Sequence, residues 1–386
     1  MTAREQEILE IIKKDPMISQ SEIAERLNTT RSSVSVHITN LLKSGHLKGR
    51  GYVVENDKYS VFVGSTALDI MSVFEMTDQT IDPTRPQQDC QITFNYSGSA
   101  RNVSEASAKL DMNTYLISAI ANDFLGNHIL DYCTQHGVNT EHCLIVNNVS
   151  TTMFIDVKSP SFNTTGLASS PIDSHITPTF LETKYSFLKN ADQIAIEDRL
   201  QRETIDYLTS NFGTSQLFLM ASRRFSNEVN YREYLDRFTG MQFSFLLASH
   251  LVGMDNFELL GAESTPDELT EKIARGLMEI TNPHRHVIFP VPGGTICYLR
   301  HNHLYTITMP SAAKELDSFK TTREAMMAGL MKCVANNVPV GDALYYVAAC
   351  HTISQINIDK PLSLCSQQVV ITLADIKKQY EIRKIF

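Results

Sequence analysis

The chain has 386 residues, with 34 basic and 43 acidic side chains for a formal charge of −9, and no tryptophan. Apolar residues at 42% and charged residues at 20% describe a folded chain, neither disordered nor collagenous, and no run of 18 apolar residues marks a membrane span. Seven scattered cysteines without a Cys-x-x-Cys pair read as reduced thiols of a cytoplasmic protein, and the charged, amphipathic N-terminus has no apolar signal core.

The acidic total argues against a nucleic-acid partner until it is partitioned. Residues 1–54 hold eight Lys/Arg against six Asp/Glu, a net +2, which leaves −11 on the rest. From Thr29 to Val54 there are four basic residues (Arg31, Lys43, Lys48, Arg50), two histidines and no carboxylate. A small unit with one cationic end is therefore joined to an acidic body.

In chain order, Thr2-x-x-Glu5 is a capping box that opens a helix with Ile8, Ile11 and Ile12 on one face, stopped at Asp15-Pro16. Ser19-x-x-Glu22 opens a second helix that ends near Asn28. Thr29 or Thr30 caps a third, with Val34, Ile38, Leu41 and Leu42 inward and Gly45 as a left-handed terminator. His46 to Val54 reads as two short strands around Gly49-Arg50-Gly51. Three helices and a β-ribbon in this order closely resemble the winged helix-turn-helix family, over residues 1–54. The resemblance makes the third helix the reader of double-stranded DNA. Thr30, Arg31, Ser32, Ser33 and Ser35 in its first turns would approach the major groove, Arg31 contacting phosphate or guanine, and Lys48 and Arg50 in the wing would hold phosphates. A three-helix interaction module is the plainer alternative, but the carboxylate-free stretch coincides with the reader and wing, which favours an operator.

From Tyr59 short apolar runs alternate with amphipathic segments, the pattern of an α/β sheet. Strands are expected at 59–64, 89–96, 114–121, 193–196, 216–220, 243–248 and 286–291, and helices at 99–110, 127–136, 325–335 and 340–353. The Ser/Thr/Pro-rich segment 159–174 reads as a loop. The histidine pairs His284/His286 and His301/His303 lack a third ligand nearby and read as surface residues, so no metal site is expected.

Four segments in order, VFVGSTALDIM (61–71), YSGSARNVSEASAKLD (96–111), ISAIANDFLGNHILDYCTQHGVNTEHCLI (117–145) and EAMMAGLMKCVANNVPVGDALYYVAACHTIS (324–354), resemble the ribokinase-like (PfkB) carbohydrate and nucleoside kinases, the pseudouridine kinase branch above all. The resemblance covers about residues 59–373. It implies an α/β fold in which a three-layer α/β/α domain with a small β lid occupies 59–386. It also places Asp69, Gly98 and Asn102 at sugar-contacting positions, and Asp123 and Gly126 in the family's Asp-x-x-Gly turn.

The same resemblance exposes departures. The family's base and anion hole lie in Gly-Ala-Gly-Asp, where this chain has Thr321-Thr322-Arg323-Glu324 after Lys320. Glu324 is one methylene longer than the aspartate, and Thr-x-x-Glu is equally a capping box for the helix it opens. The family's Asn-x-x-Glu falls near His250–Gly253 with no carboxylate, and its Gly-rich nucleotide turn near Phe289–Gly294 carries two prolines. These residues favour a regulator that has lost kinase activity and needs no cofactor. It would sense a sugar, a nucleoside or their phosphate, with Arg323 suited to an anionic group. A homodimer, with no membrane association, is expected because paired winged helices read paired half-sites. The alternative is an active kinase, with Glu324 as base and ATP and Mg²⁺ as cofactors.

Overall fold

The computed structural model describes residues 2–15, 18–44, 46–47, 58–73, 91–159, 162–169, 172–213, 216–221, 231–254, 266–309, 322–356 and 364–386. Contacts divide the chain into two units, Met1–Lys58 and Tyr59–Phe386.

The first unit holds α1 (Ala3–Lys14), α2 (Gln20–Arg26) and α3 (Arg31–Lys43). Both capping boxes form. Thr2 Oγ1 accepts from the Glu5 N–H at 3.2 Å while Glu5 Oε2 accepts from the Thr2 N–H at 2.7 Å. Ser19 and Glu22 repeat the exchange at 3.2 and 2.9 Å. Thr30, not Thr29, caps α3 by accepting from the Ser33 N–H at 3.2 Å. Asn28 turns the chain between α2 and α3 at φ 47°, a left-handed value that asparagine tolerates. Ile8, Ile12, Ile23, Val34, Ile38, Leu41 and Leu47 meet in one core. Asn40 adds a polar tie, donating to Glu5 Oε1 at 3.1 Å and fastening α3 to α1. The expected Gly45 terminator and wing, including Lys48 and Arg50, lie outside the described residues.

The second unit is built on a ten-stranded sheet. In chain order its strands are β1 (Ser60–Val63), β4 (Thr114–Ile117), β6 (Val138–Asn139), β10 (Gln193–Glu197), β11 (Leu217–Ala221), β12 (Gly240–Phe243), β13 (His286–Val291), β14 (Thr295–Arg300), β15 (His303–Thr308) and β16 (Arg383–Lys384). Their spatial order is β16-β15-β14-β13-β12-β11-β10-β1-β4-β6, parallel from β6 to β13 and antiparallel beyond. Strand side chains alternate between two cores: Val61, Val63, Ile194 and Ile196 enter one, and Phe62, Ala195 and Phe218 the other. The second core is covered by α4 (Ser99–Lys109), α11 (Thr322–Ala335), α12 (Val340–Ile356) and α13 (Ser366–Gln379). The first is covered by α8 (Arg202–Phe212), α9 (Phe245–Leu251) and α10 (Pro266–Ile280). This is a three-layer α/β/α arrangement.

Four further strands form a separate sheet in the order β3-β2-β8-β9: β2 (Ala67–Val73), β3 (Gln91–Ser97), β8 (Met153–Ser159) and β9 (Phe162–Ala168). This is the lid. One end of the sheet joins the body: β2 leaves from Thr66, β3 returns at Ser97 directly before α4, and Thr151, just ahead of β8, gives its N–H and hydroxyl to Asp123 at 2.8 and 2.6 Å, while β9 follows through β8, Ser169 N–H bonding Met153 O at 2.9 Å.

Four expectations change. Residues 159–174 are not wholly loop, because Phe162–Ala168 pairs antiparallel with β8; its threonines and large apolar residues suit a strand. The strand expected at 243–248 lies at Gly240–Phe243, since Ser244 accepts from the Leu247 N–H at 3.2 Å and starts α9 instead. The strand expected over 114–121 breaks at Ser118, and β5 (Ala119–Ala121) pairs with β7 (Leu144–Val146). His286 is no surface residue: it is buried at the start of β13, its Nδ1 hydrogen-bonded to Tyr298 Oη, and burial pushes its pKa down to about 3. Among the described residues no helix is long and apolar enough to cross a membrane, and no three His, Cys, Asp or Glu side chains converge as a metal cage.

Candidate functional site

On the first unit, the start of α3 is open to solvent. Arg31 and Ser32 are exposed and Ser33 and Ser35 half-buried. Thr30 is exposed, but its hydroxyl is committed to capping and to a 3.0 Å contact with Ser32 Oγ. Its job is therefore to fix the helix start, which presents Arg31 to Ser35.

On the second unit, β1 has β4 on one side and β10 on the other, so the chain order reverses there. Open parallel sheets bind ligands in the crevice outside the strand ends at such a point. Four connected elements meet at this place. Glu197, the last residue of β10, is buried and accepts from both the Ser65 N–H and the Ser65 hydroxyl, the latter at 2.9 Å. Ser65 Oγ accepts in turn from the Ser99 N–H at the start of α4, at 3.2 Å. Ser99 Oγ donates to Glu324 Oε1, in the first turn of α11, at 3.4 Å. A continuous polar chain thus joins β10, β1, α4 and α11.

Burial governs its electrostatics. Glu324 is 3% exposed, and desolvation raises its pKa to about 7 although the nearby Arg323 charge, its own backbone N–H and Ser99 favour the anion. Its Oε2 has no hydrogen-bond partner among the described residues. Desolvation also raises Glu197 against the hydrogen bonds from Ser65. Asp173 is raised to about 7 by burial and by the charge of Glu197. Arg199 lies 4.0 Å from Asp173 Oδ2 and 5.0 Å above the Phe154 ring of the lid, linking the acidic cluster to β8.

The predicted ligand residues converge in part on this corner. Gly98 has φ 105°, and a Cβ there would stand 2.3 Å from Ser65 O and 2.6 Å from Thr66 Cα. Backbone packing alone therefore requires glycine. Asn102 is buried, its N–H bonded to Gly98 O at 2.8 Å, and its Oδ1 has no partner among the described residues. Asp69 is half-buried on β2, opposite Asn95 and beside Phe154 in register. Arg323 is half-buried next to Glu324. Lys320 and Thr321 lie outside the described residues, and the proposed cap of α11 with them. Asp123 does structural work: it caps α5 (Phe124–Gln135) through the Gly126 N–H at 2.7 Å and holds Thr151 N–H and Oγ1 at 2.8 and 2.6 Å.

Sequence reasoning missed Ser65, Ser99, Glu197, Asp173 and Arg199. Glu197 left a signal, as the one acid closing the otherwise neutral strand Gln-Ile-Ala-Ile-Glu. The serines left none, because their role arises only where three segments meet.

Comparison with known proteins agrees with this geometry. Residues 57–245 match the family described as pfkB family carbohydrate kinase, and residues 1–48 match winged helix-turn-helix DNA-binding domains. The uncharacterized sugar kinase YeiI of Escherichia coli (strain K12) is 23% identical over 358 residues, 92% of this chain and 94% of that protein. The pseudouridine kinase of the same organism is 22% identical over 305 residues, 77% of this chain and 90% of that protein. Arabidopsis thaliana ribokinase, solved with ribose and ATP, superposes with a TM-score of 0.65 at 13% identity, covering 82% of this chain and 99% of that one. The chain thus joins a segment that matches winged helix-turn-helix DNA-binding domains to a ribokinase-like fold whose residues 57–245 match the pfkB carbohydrate kinase family.

Proposed function

We propose that the protein is a DNA-binding transcriptional regulator of the cytoplasm whose ribokinase-like domain senses a sugar, a nucleoside or their phosphate and no longer transfers phosphate. The carrying observation is the first turn of α11. Phosphoryl transfer needs backbone N–H groups that close on the transferring phosphate and a base beside them. The family resemblance puts glycines where Thr321 and Arg323 stand and an alanine where Thr322 stands, and here Thr322 is buried and Glu324 is enclosed against Ser99. Arg323 carries a Cβ and a long side chain where a glycine would leave the backbone N–H open to an ATP phosphate with its Mg²⁺. The residues present therefore do not fit that cofactor. On the opposite side Asn102 has a buried Oδ1 with no partner among the described residues, and Asp69 stands on the lid. With Gly98 shaping the wall, these short polar groups suit ligand hydroxyls, and Arg323 suits an anionic substituent.

A ligand alters operator affinity only through unequal binding to two states of the chain, so coupling between the domains is reciprocal. A homodimer is the form that reads paired half-sites. The lid offers it a surface: Phe94, Ile70, Ile155 and Leu167 stand in register in one row across all four strands, and Phe94 and Leu167 are 63% and 58% exposed.

One observation favours a second reading, an active nucleoside or sugar kinase. Glu324 at about 7 has the proton affinity of a general base working near neutrality. Thermal shift over a panel of sugars, nucleosides and their phosphates separates the two, because a binder of the folded state raises Tm. Stabilisation by a panel member, with no response to ATP and Mg²⁺, is expected. ATP-dependent phosphorylation of any panel member, abolished by Glu324→Gln, would establish the kinase instead.

A further inference from the structure

The middle of α3 carries an exposed apolar side chain that the fold does not use. Val36 is 59% exposed, between the buried Val34 and Ile38 that pin the helix to its core. On a helix surface its neighbours lie three and four positions away. Upstream these are Ser32, exposed, and Ser33, half-buried; downstream they are Thr39 and Asn40, both exposed. Three of the four are already committed, Ser32 through the 3.0 Å contact of its Oγ with Thr30 Oγ1. The Thr39 hydroxyl donates to Ser35 O at 2.8 Å, and Asn40 Nδ2 donates to Glu5 Oε1 at 3.1 Å. The centre of this face is thus a branched hydrocarbon among small neutral groups, with exposed cations near both ends, Arg31 and Lys43. No carboxylate occurs from Thr29 to Val54.

That arrangement complements one kind of surface. Duplex DNA presents phosphates on either side of the major groove, for the two cations, and a single apolar group within it, the thymine 5-methyl. Lysine or arginine at position 36 would choose guanine and asparagine adenine, whereas valine can gain only by covering a methyl. We infer that Val36 is a specificity-determining residue that packs on one thymine methyl in each half-site. The inference rests on the DNA-binding reading above and adds to it which base is selected, and by which atom.

The test uses the full-length protein and a duplex selected by it from a random library. Replacing each thymine in turn by uracil removes a methyl and leaves base pairing intact. Burying one methyl corresponds to about a fourfold change in affinity. The expected result is a loss of about fourfold at one thymine per half-site for the parent chain, and no loss at that thymine for Val36→Ala. Val36→Ile, which keeps the branched surface, retains the sensitivity. Bound duplex with no uracil-sensitive position, or equal sensitivity in Val36→Ala, overturns the inference and leaves DNA binding standing. A change in the mass of Val36→Ala in sedimentation also overturns it, by showing that the residue packs on a second copy. Retention of no duplex from the library removes the DNA-binding reading and the inference together.

Discussion

Ser65 has one hydroxyl proton and gives it to Glu197, while its oxygen accepts from Ser99. That arrangement depends on Gly98, whose φ of 105° lets α4 begin against the Ser65–Thr66 backbone. Gly98→Ala pushes a Cβ into main-chain atoms that have nowhere to go, and is expected to cost at least about 2 kcal/mol. Chemical denaturation checks this, and an unchanged midpoint would contradict it. Glu324 makes a pH prediction with a definite sign. Its ordinary value of 4.5 is raised to about 7 by burial, so the folded chain keeps a proton that the unfolded chain releases. Stability therefore falls as pH rises from about 4.5 to about 7, by about 3 kcal/mol for this group, and the deficit persists above. Asp173, raised to about 7 as well, tilts the curve in the same direction. In melts from pH 5 to pH 8, Glu324→Gln should gain Tm on the parent chain as pH increases to about 7 and hold that gain above, while Asp173 keeps a residual slope in both. A constant difference across that range would show that the carboxyl is not held protonated.

Helices with their own stop and start signals behave as autonomous units. Removing the α3 cap by Thr30→Ala leaves the Ser33 N–H without its side-chain acceptor and is expected to cost about 1 kcal/mol, whereas Thr30→Ser should be near neutral. Circular dichroism melts of the two variants measure it. The same signals explain what could be read from the chain. The capping boxes at Thr2 and Ser19 and the apolar runs of β1, β10 and β11 are local, and each forms where expected. The lid was harder. No strand is expected around Asp69, yet one begins at Ala67, and its pairing with β3 and β8 is what makes it one. Phe162–Ala168 looks like a Ser/Thr-rich loop until β8 supplies its partner. The corner was illegible for a related reason: Ser65, Ser99 and Glu324 are far apart in sequence, and their hydrogen bonds exist only once three elements converge.

For the molecule as a whole, the division of charge matters more than its sum. A net +2 on residues 1–54 stands against −11 on the remainder, and the cations nearest the reader have no acid among them. Operator affinity should fall linearly on a log–log plot against salt, and Arg31→Ala should reduce that slope by about 1 with little change in the preferred sequence. A filter-binding series from low to moderate salt is sufficient, and a salt-independent interaction would contradict the assignment. Assembly is a separate property. Phe94→Asp places a charge in the middle of the apolar lid row and should convert a dimer to a monomer in sedimentation. Finally, the lid has the mechanics of a cantilever. It is anchored to the body at one end, at Thr66, Ser97 and Thr151, and β2 then extends for seven residues, about 23 Å. A sheet held this way deflects least at the clamp and most at its tip. A spin label beside Ala67 should therefore report almost no movement when a ligand is enclosed, while one at Gln91 should report the full swing.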